Sequence, residues 1–200
     1  MSIEYLHYID TQQPPNMSGA EKYHGAIAQG YDKKREDSDK WKIEQRIIED
    51  MLSGLMSGDW VLDAPCGTGR FLPFCQNKNL IYLGLDRSQD MLNEAAKKVT
   101  KPQKAMFALG DVRKVPRDDK SVDAVINCRV TRWLSPEDCQ AMLRESQRVA
   151  RKKIISTWRV RNHVHARSYE LINGALDGWK ISRDEAGSDM DYRIIELTPC

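Results

Sequence analysis

Residues 61–71, VLDAPCGTGRF, put a carboxylate, a thiol, two glycines and an arginine directly behind an apolar run. An apolar run that closes on an acid sets a charge at the end of a buried strand. Gly67 and Gly69 then allow φ > 0 and let bare backbone approach a ligand. Asp86 closes a second apolar run, IYLGLD, nineteen positions after Gly67, and Asp111 closes a third, KAMFALGD. A carboxylate at the second position suits the two hydroxyls of a ribose. One at the third suits an adenine amino group. Together the three ends describe a nucleoside site. The third glycine of G-x-G-x-x-G is absent, because Gly69 is followed by Arg70, Phe71 and Leu72. The phosphate-cradling G-x-x-x-x-G-K-[ST] does not occur, so neither a pyrophosphate nor a triphosphate site is expected.

Further chemistry sits at two other places. Arg129, Arg132 and Trp133 follow the run SVDAVINC; the arginines are suited to an acidic acceptor and Trp133 to packing its pocket. His163 and His165, in RNHVHAR, could take a proton from an acceptor; as an H-x-H pair they lack a third metal ligand, so no metal is expected. Arg159, Arg161 and Arg167 make the same segment the densest basic patch. Cys66 beside Pro65 reads as a structural thiol in the glycine turn, since nothing nearby would lower its pKa. Cys128 reads as a small hydrophobe at the end of a buried strand.

The elements that must position these groups alternate. Helical spacing of Trp41, Ile43, Ile47, Ile48, Met51 and Leu52 predicts a helix over 39–56. Strands are predicted at 59–64, 81–86, 104–111, 121–128, 152–160, 179–182 and 191–197. Between them fall helices at 69–76, 88–99, with Ser88 as N-cap, 135–152, with Ser135 as N-cap and Pro136 at the first position, and 165–177. Alternation of this kind predicts an α/β fold: a doubly wound, mostly parallel seven-stranded sheet with helices on both faces. The short polar link DEAGSD calls for an antiparallel C-terminal edge strand, because a parallel crossover needs a dozen or more residues.

Composition sets the outer bounds. The chain has 200 residues, 31 basic and 29 acidic, for a net charge of +2. That balance gives no overall electrostatic footprint for nucleic acid. Five cysteines without a C-x-x-C argue against a disulfide framework or zinc ribbon. The first residues lack a secretory pattern and no apolar run spans a bilayer, so a soluble, cytoplasmic protein is expected. Residues 1–20, with Pro14, Pro15 and Gly19, read as loop.

LDAPCGTG resembles motif I of the class I, Rossmann-like S-adenosylmethionine-dependent methyltransferases of the type 11/25 kind. YLGLDRSQDMLNEA, ALGDVRKVP and SVDAVINCRVTRWL resemble the second, third and fourth motifs. The resemblance implies S-adenosylmethionine as cofactor. It places Asp63, Ala64, Pro65, Gly67 and Gly69 under the methionine part, Asp86 on the ribose, Arg87 and Met91 against the adenine, and Asp111 and Val112 at its edge and face. Cys128 would lie near the sulfonium and, with His163 and His165, among the catalytic candidates. YDKKRE resembles a segment that closes over the cofactor, with Tyr31 capping the methionine and Arg35 taking its carboxylate. Residues 1–40 are thus expected to form a partly flexible cap, and 41–200 the cofactor-binding domain. Pro65 stands where the family often has glycine and removes one N–H donor. Arg129, Arg132 and Trp133 are the acceptor-binding candidates. The expected acceptor is a small, anionic molecule. The alternatives are an RNA or protein acceptor docked on the open face, and a non-catalytic cofactor-binding subunit that needs a partner chain.

Overall fold

The structure, a computed structural model, describes residues 5–6, 22–159, 169–187 and 192–200. Its strands are β1 (Tyr5–Leu6), β2 (Trp60–Asp63), β3 (Ile81–Asp86), β4 (Ala105–Leu109), β5 (Val122–Asn127), β6 (Ala150–Arg159), β7 (Trp179–Ala186) and β8 (Tyr192–Pro199). Its helices are α1 (Gly25–Gln29), α2 (Asp39–Leu52), α3 (Leu72–Asn77), α4 (Gln89–Ala96), α5 (Pro136–Val149) and α6 (Tyr169–Asn173). The strands form one sheet in the order β1-β4-β3-β2-β5-β6-β8-β7.

The pairs from β1 to β6 are parallel, and β8 runs antiparallel to both β6 and β7. The seven expected strands are all present, and β1 adds two residues of parallel pairing, Tyr5 with Phe107 and Leu6 with Ala108. Two residues are too few to leave a sequence pattern.

Side-chain alternation builds the two layers. Along the central strands, Val61, Tyr82, Ala124 and Ile126 join one apolar cluster with Ile48 and Leu52 of α2, Leu72 of α3 and Leu92 of α4. Their neighbours Leu62, Leu83 and Val125 join the other, with Met142 and Leu143 of α5 and Ile172 of α6. A period of two thus sends successive residues to opposite helical layers, which is why these strands read as continuous apolar runs. The Ser88 hydroxyl accepts from the Met91 N–H, and the Ser135 hydroxyl accepts from the Asp138 N–H, so both expected N-caps are formed.

The strand order reverses at β2, which lies between β3 and β5. Such a switch point leaves a crevice at the carboxyl ends of the strands. The opening stretch of interest, with Asp63 and the two glycines, ends β2 at that place.

Several elements stop short of the sequence reading, α4, α5 and α6 by three or four residues at their C-terminal ends. Helix α2 ends at Leu52, where Ser53 and Gly54 interrupt it, although Leu55 is still buried. Strand β4 ends at Leu109, so Asp111 belongs to a turn closed by a bridge to Lys114.

Candidate cofactor and acceptor site

A cavity opens at the switch point. From the β2–α3 turn it is lined by Asp63, Pro65, Cys66, Gly67, Thr68, Arg70 and Phe71. Asp86, Arg87, Ser88 and Met91 form a second wall, with Gly110 and Val112 beyond them. The other end is formed by Cys128, Arg129, Val130, Arg132, Trp133 and Leu134, and the roof by Tyr23, Tyr31, Arg35 and Trp41.

Asp86 organises the turn. Its Oδ2 accepts the Gly67 N–H at 2.8 Å and its Oδ1 the Ser88 N–H at 2.9 Å. Burial pushes its pKa up, against the opposing pull of the Ser88, Gly67 and Arg87 backbone N–H groups. Each oxygen keeps a lone pair for a hydroxyl donor. Gly67 has φ +53°, and a Cβ there would meet only Met91 Cε, at 3.8 Å. Its missing side chain is space that belongs to the cavity. Gly69 serves packing instead, since a Cβ would come within 2.9 Å of Ala95 Cβ on α4.

Asp63 is 1 % exposed; Tyr82 donates to its Oδ2 at 2.7 Å, and its Oδ1 is a buried acceptor with no partner among the described residues. Burial pushes this carboxyl up to about 7; the Tyr82 hydrogen bond opposes the rise and the Asp86 charge adds to it. The unfolded carboxyl titrates near 4 (~3.9). Between these values the folded chain holds a proton that the unfolded chain has lost, so this contribution to stability is present below about pH 4 and lost as pH rises through about 7. Urea unfolding at pH 5 and pH 8 is expected to show wild type losing roughly 2–3 kcal/mol relative to Asp63→Asn over that interval. Parallel pH profiles for the two proteins would show that Asp63 ionises freely in the fold.

A buried ion cluster closes the end opposite α4. Glu44, 4 % exposed, accepts from Arg70 Nη1 at 2.6 Å and from Arg129 Nε at 2.8 Å. Arg70 also donates to Gln45 Oε1 at 2.6 Å and to the Trp41 carbonyl, and its guanidinium lies 3.7 Å from the Trp41 ring centre. Arg129 has φ +56°, a strained conformation for a residue with a side chain, at the edge of a cavity. The Thr157 hydroxyl holds its N–H at 2.7 Å. Between these groups Cys128 is a neutral thiol, pushed well up by burial and then by the Glu44 charge.

The roof is fastened by polar contacts. The Ser88 hydroxyl donates to the Tyr23 carbonyl at 2.6 Å, and the Gly25 N–H donates to Asp90 at 2.8 Å. Asp32 accepts from the Thr68 hydroxyl at 2.6 Å and pairs with Lys98.

Of the residues the sequence singles out, Tyr31, Arg35, Asp63, Pro65, Gly67, Asp86, Arg87, Met91, Val112, Cys128, Arg129, Arg132 and Trp133 meet at this cavity. Ala64 lies behind it, its carbonyl taking the Asn127 amide at 2.8 Å, and Gly69 faces α4. Asp111 is drawn aside: its carboxylate takes Arg113 Nη2 at 2.6 Å and faces Arg87 at 3.5 Å, while its neighbours Gly110 and Val112 line the wall. His163 and His165 fall outside the described residues, as do Arg161 and Arg167. Thr68, Arg70 and Trp41 were not expected among the lining. The spacing of Trp41, Glu44 and Gln45 on one helical face was the available signal.

Residues 61–153 match the family model of a methyltransferase domain. A malonyl-[acyl-carrier protein] O-methyltransferase of Hamiltonella defensa subsp. Acyrthosiphon pisum (strain 5AT) is 34 % identical over 100 residues, which cover 50 % of this chain and 37 % of that one. The enzyme of the same name from Serratia marcescens is 30 % identical over 129 residues, covering 63 % and 49 %. This chain therefore spans between a third and a half of those relatives. The magnesium protoporphyrin IX methyltransferase of Synechocystis PCC 6803, solved with bound SAH, shares the fold with a TM-score of 0.76 at 18 % identity, over 90 % of this chain and 97 % of that one. Residues 61–153 thus resemble a methyltransferase domain, and the chain has the fold of the class I S-adenosylmethionine-dependent methyltransferases. The donor set fits that cofactor: an orphaned buried carboxylate oxygen for an ammonium, a second carboxylate with free lone pairs for hydroxyls, and apolar walls for a base. Among the described residues no helix is long and apolar enough to cross a membrane.

Proposed function

We propose that this chain binds S-adenosylmethionine in the cavity and transfers its methyl group to a small anionic molecule. The observation that carries the reading is the pair of carboxylates at adjacent strand ends: among the described residues Asp63 keeps an unpartnered oxygen, and Asp86 accepts the Gly67 and Ser88 backbone N–H groups. The cofactor supplies an activated methyl group on a sulfonium. Asp63 holds the ammonium, Asp86 the ribose hydroxyls, and Met91 and Val112 enclose the adenine. Arg35 takes the methionine carboxylate, and Tyr31 covers that end. Residues 1–40 act as the cap and residues 41–200 as the cofactor-binding domain, a division supported by the polar fastening of Tyr23, Gly25 and Asp32. With an activated donor, catalysis rests on positioning, which is worth ~7–11 kcal/mol of barrier. The strained Arg129 and the Glu44 cluster fix the walls where the acceptor enters, and Cys128 offers a neutral wall between them. Both curated relatives are named for a malonyl acceptor, which carries a free carboxylate, and this agrees with an anionic substrate.

Incubation with methyl-labelled S-adenosylmethionine and a cell extract tests the reading. Label is expected in acidic small molecules. Label in RNA, DNA or protein instead would move the acceptor to a macromolecule, and cofactor binding without any label would point to a subunit that needs a partner chain.

A further inference from the structure

Resting on the methyl-transfer reading, we propose that the acceptor is a carboxylate attached to an apolar body, and that Arg132 grips the carboxylate while Trp133 flanks the body.

Charge accounting comes first. Five arginines line the cavity, Arg35, Arg70, Arg87, Arg129 and Arg132, against two acids, Asp63 and Asp86. Arg70 and Arg129 share the single charge of Glu44, and Arg87 faces Asp111 at 3.5 Å. Arg35 and Arg132 have no acidic partner among the described residues. S-adenosylmethionine brings a sulfonium, an ammonium and one carboxylate, and so adds positive charge. With Arg35 committed to that carboxylate, Arg132 is the cation left for the acceptor.

Arg132 also carries its own sign of a missing ligand. Its Nε is buried and has no hydrogen-bond partner among the described residues. A buried donor left without an acceptor is costly, and a planar carboxylate matches the guanidinium fork. Arg132 sits on the 3-10 turn Thr131–Trp133, five residues past Asn127, where β5 ends. That is the acceptor end of the cavity rather than the ribose end.

The shape of the roof supplies the second half. Trp133, Tyr23, Tyr31 and Trp41 form a continuous edge-to-face row, with ring centres 6.1, 5.5 and 6.3 Å apart. The Arg132 guanidinium lies 4.5 Å from the Trp133 ring centre, so cation and ring present one composite surface. Rigid aromatic rings give large apolar contact area at low entropic cost, which suits an apolar body beside the carboxylate.

The test titrates 2-naphthoate, and separately its neutral amide 2-naphthamide, into protein saturated with S-adenosylhomocysteine, followed by calorimetry. Naphthoate is expected to bind at least about tenfold more tightly than the amide, from a charge-assisted pair. Arg132→Gln is expected to erase that difference and Arg132→Lys to keep part of it, with S-adenosylhomocysteine affinity unchanged in both as a measure of an intact fold. Equal affinity for acid and amide, or an acid affinity that survives Arg132→Gln, would overturn the assignment while leaving the cofactor reading in place. Failure of wild type to bind S-adenosylhomocysteine would overturn the cofactor reading, and this assignment with it.

Discussion

Asp86→Ala is expected to raise the dissociation constant for S-adenosylhomocysteine by about 100-fold. Asp86 already holds the Gly67 and Ser88 N–H groups, and its remaining lone pairs are those assigned to the ribose hydroxyls. A hydrogen bond to a charged acceptor contributes ~1.5–3 kcal/mol, so losing two costs about 3 kcal/mol or more. Each ~1.4 kcal/mol is tenfold in affinity. The variant also strips the Gly67 N–H of its acceptor and loosens the backbone that meets the ligand. Calorimetric titration of wild type, Asp86→Ala and Asp86→Asn is the check, with the asparagine variant between the other two. An alanine variant within about threefold of wild type would remove the ribose from this wall.

Glu44→Ala is expected to have the largest effect on stability. One carboxylate, 4 % exposed, neutralises two guanidiniums, and its loss leaves Arg70, 8 % exposed, as a buried charge without its acid. Breaking a buried pair from one side costs about 3–5 kcal/mol. For a chain of this size that is a fall of roughly 10 °C in midpoint. The Asp50–Arg183 pair is an internal control, since it joins α2 to β7 in solvent with side-chain exposures of 61 % and 38 %. Asp50→Ala should cost less than about 1 kcal/mol. Thermal unfolding of both variants distinguishes the cases, and equal shifts would mean that the cluster contributes no more than a surface ion pair. The same cluster matters to the site, because Arg70 follows the glycine turn and Arg129 lies two residues past the end of β5.

The strand ends were legible because their signals are local. An apolar run, an acid and a glycine turn lie within ten residues, and the switch point of an alternating β/α chain brings successive ends together. Both N-caps were legible for the same reason, since a serine precedes each helix by one position. The Glu44 cluster was not legible. Its partners stand 26 and 85 residues away, and nothing in the sequence marks which arginine a buried glutamate will meet. Asp111 shows a subtler limit. The run KAMFALGD reads as strand to its last residue, but β4 ends at Leu109 and the carboxylate turns to Arg113, two positions on. A competing guanidinium that close in sequence decides where the carboxylate of a turn residue points.

The most direct measurement is equilibrium dialysis of the wild-type chain against methyl-labelled S-adenosylmethionine, with unlabelled S-adenosylhomocysteine as competitor. The account predicts saturation at one equivalent per chain and displacement by the competitor. Weaker binding is also expected as pH falls below about 7, where Asp63 takes up its proton and loses the charge proposed to hold the ammonium. Absence of saturable binding at millimolar cofactor would contradict the assignment of this cavity.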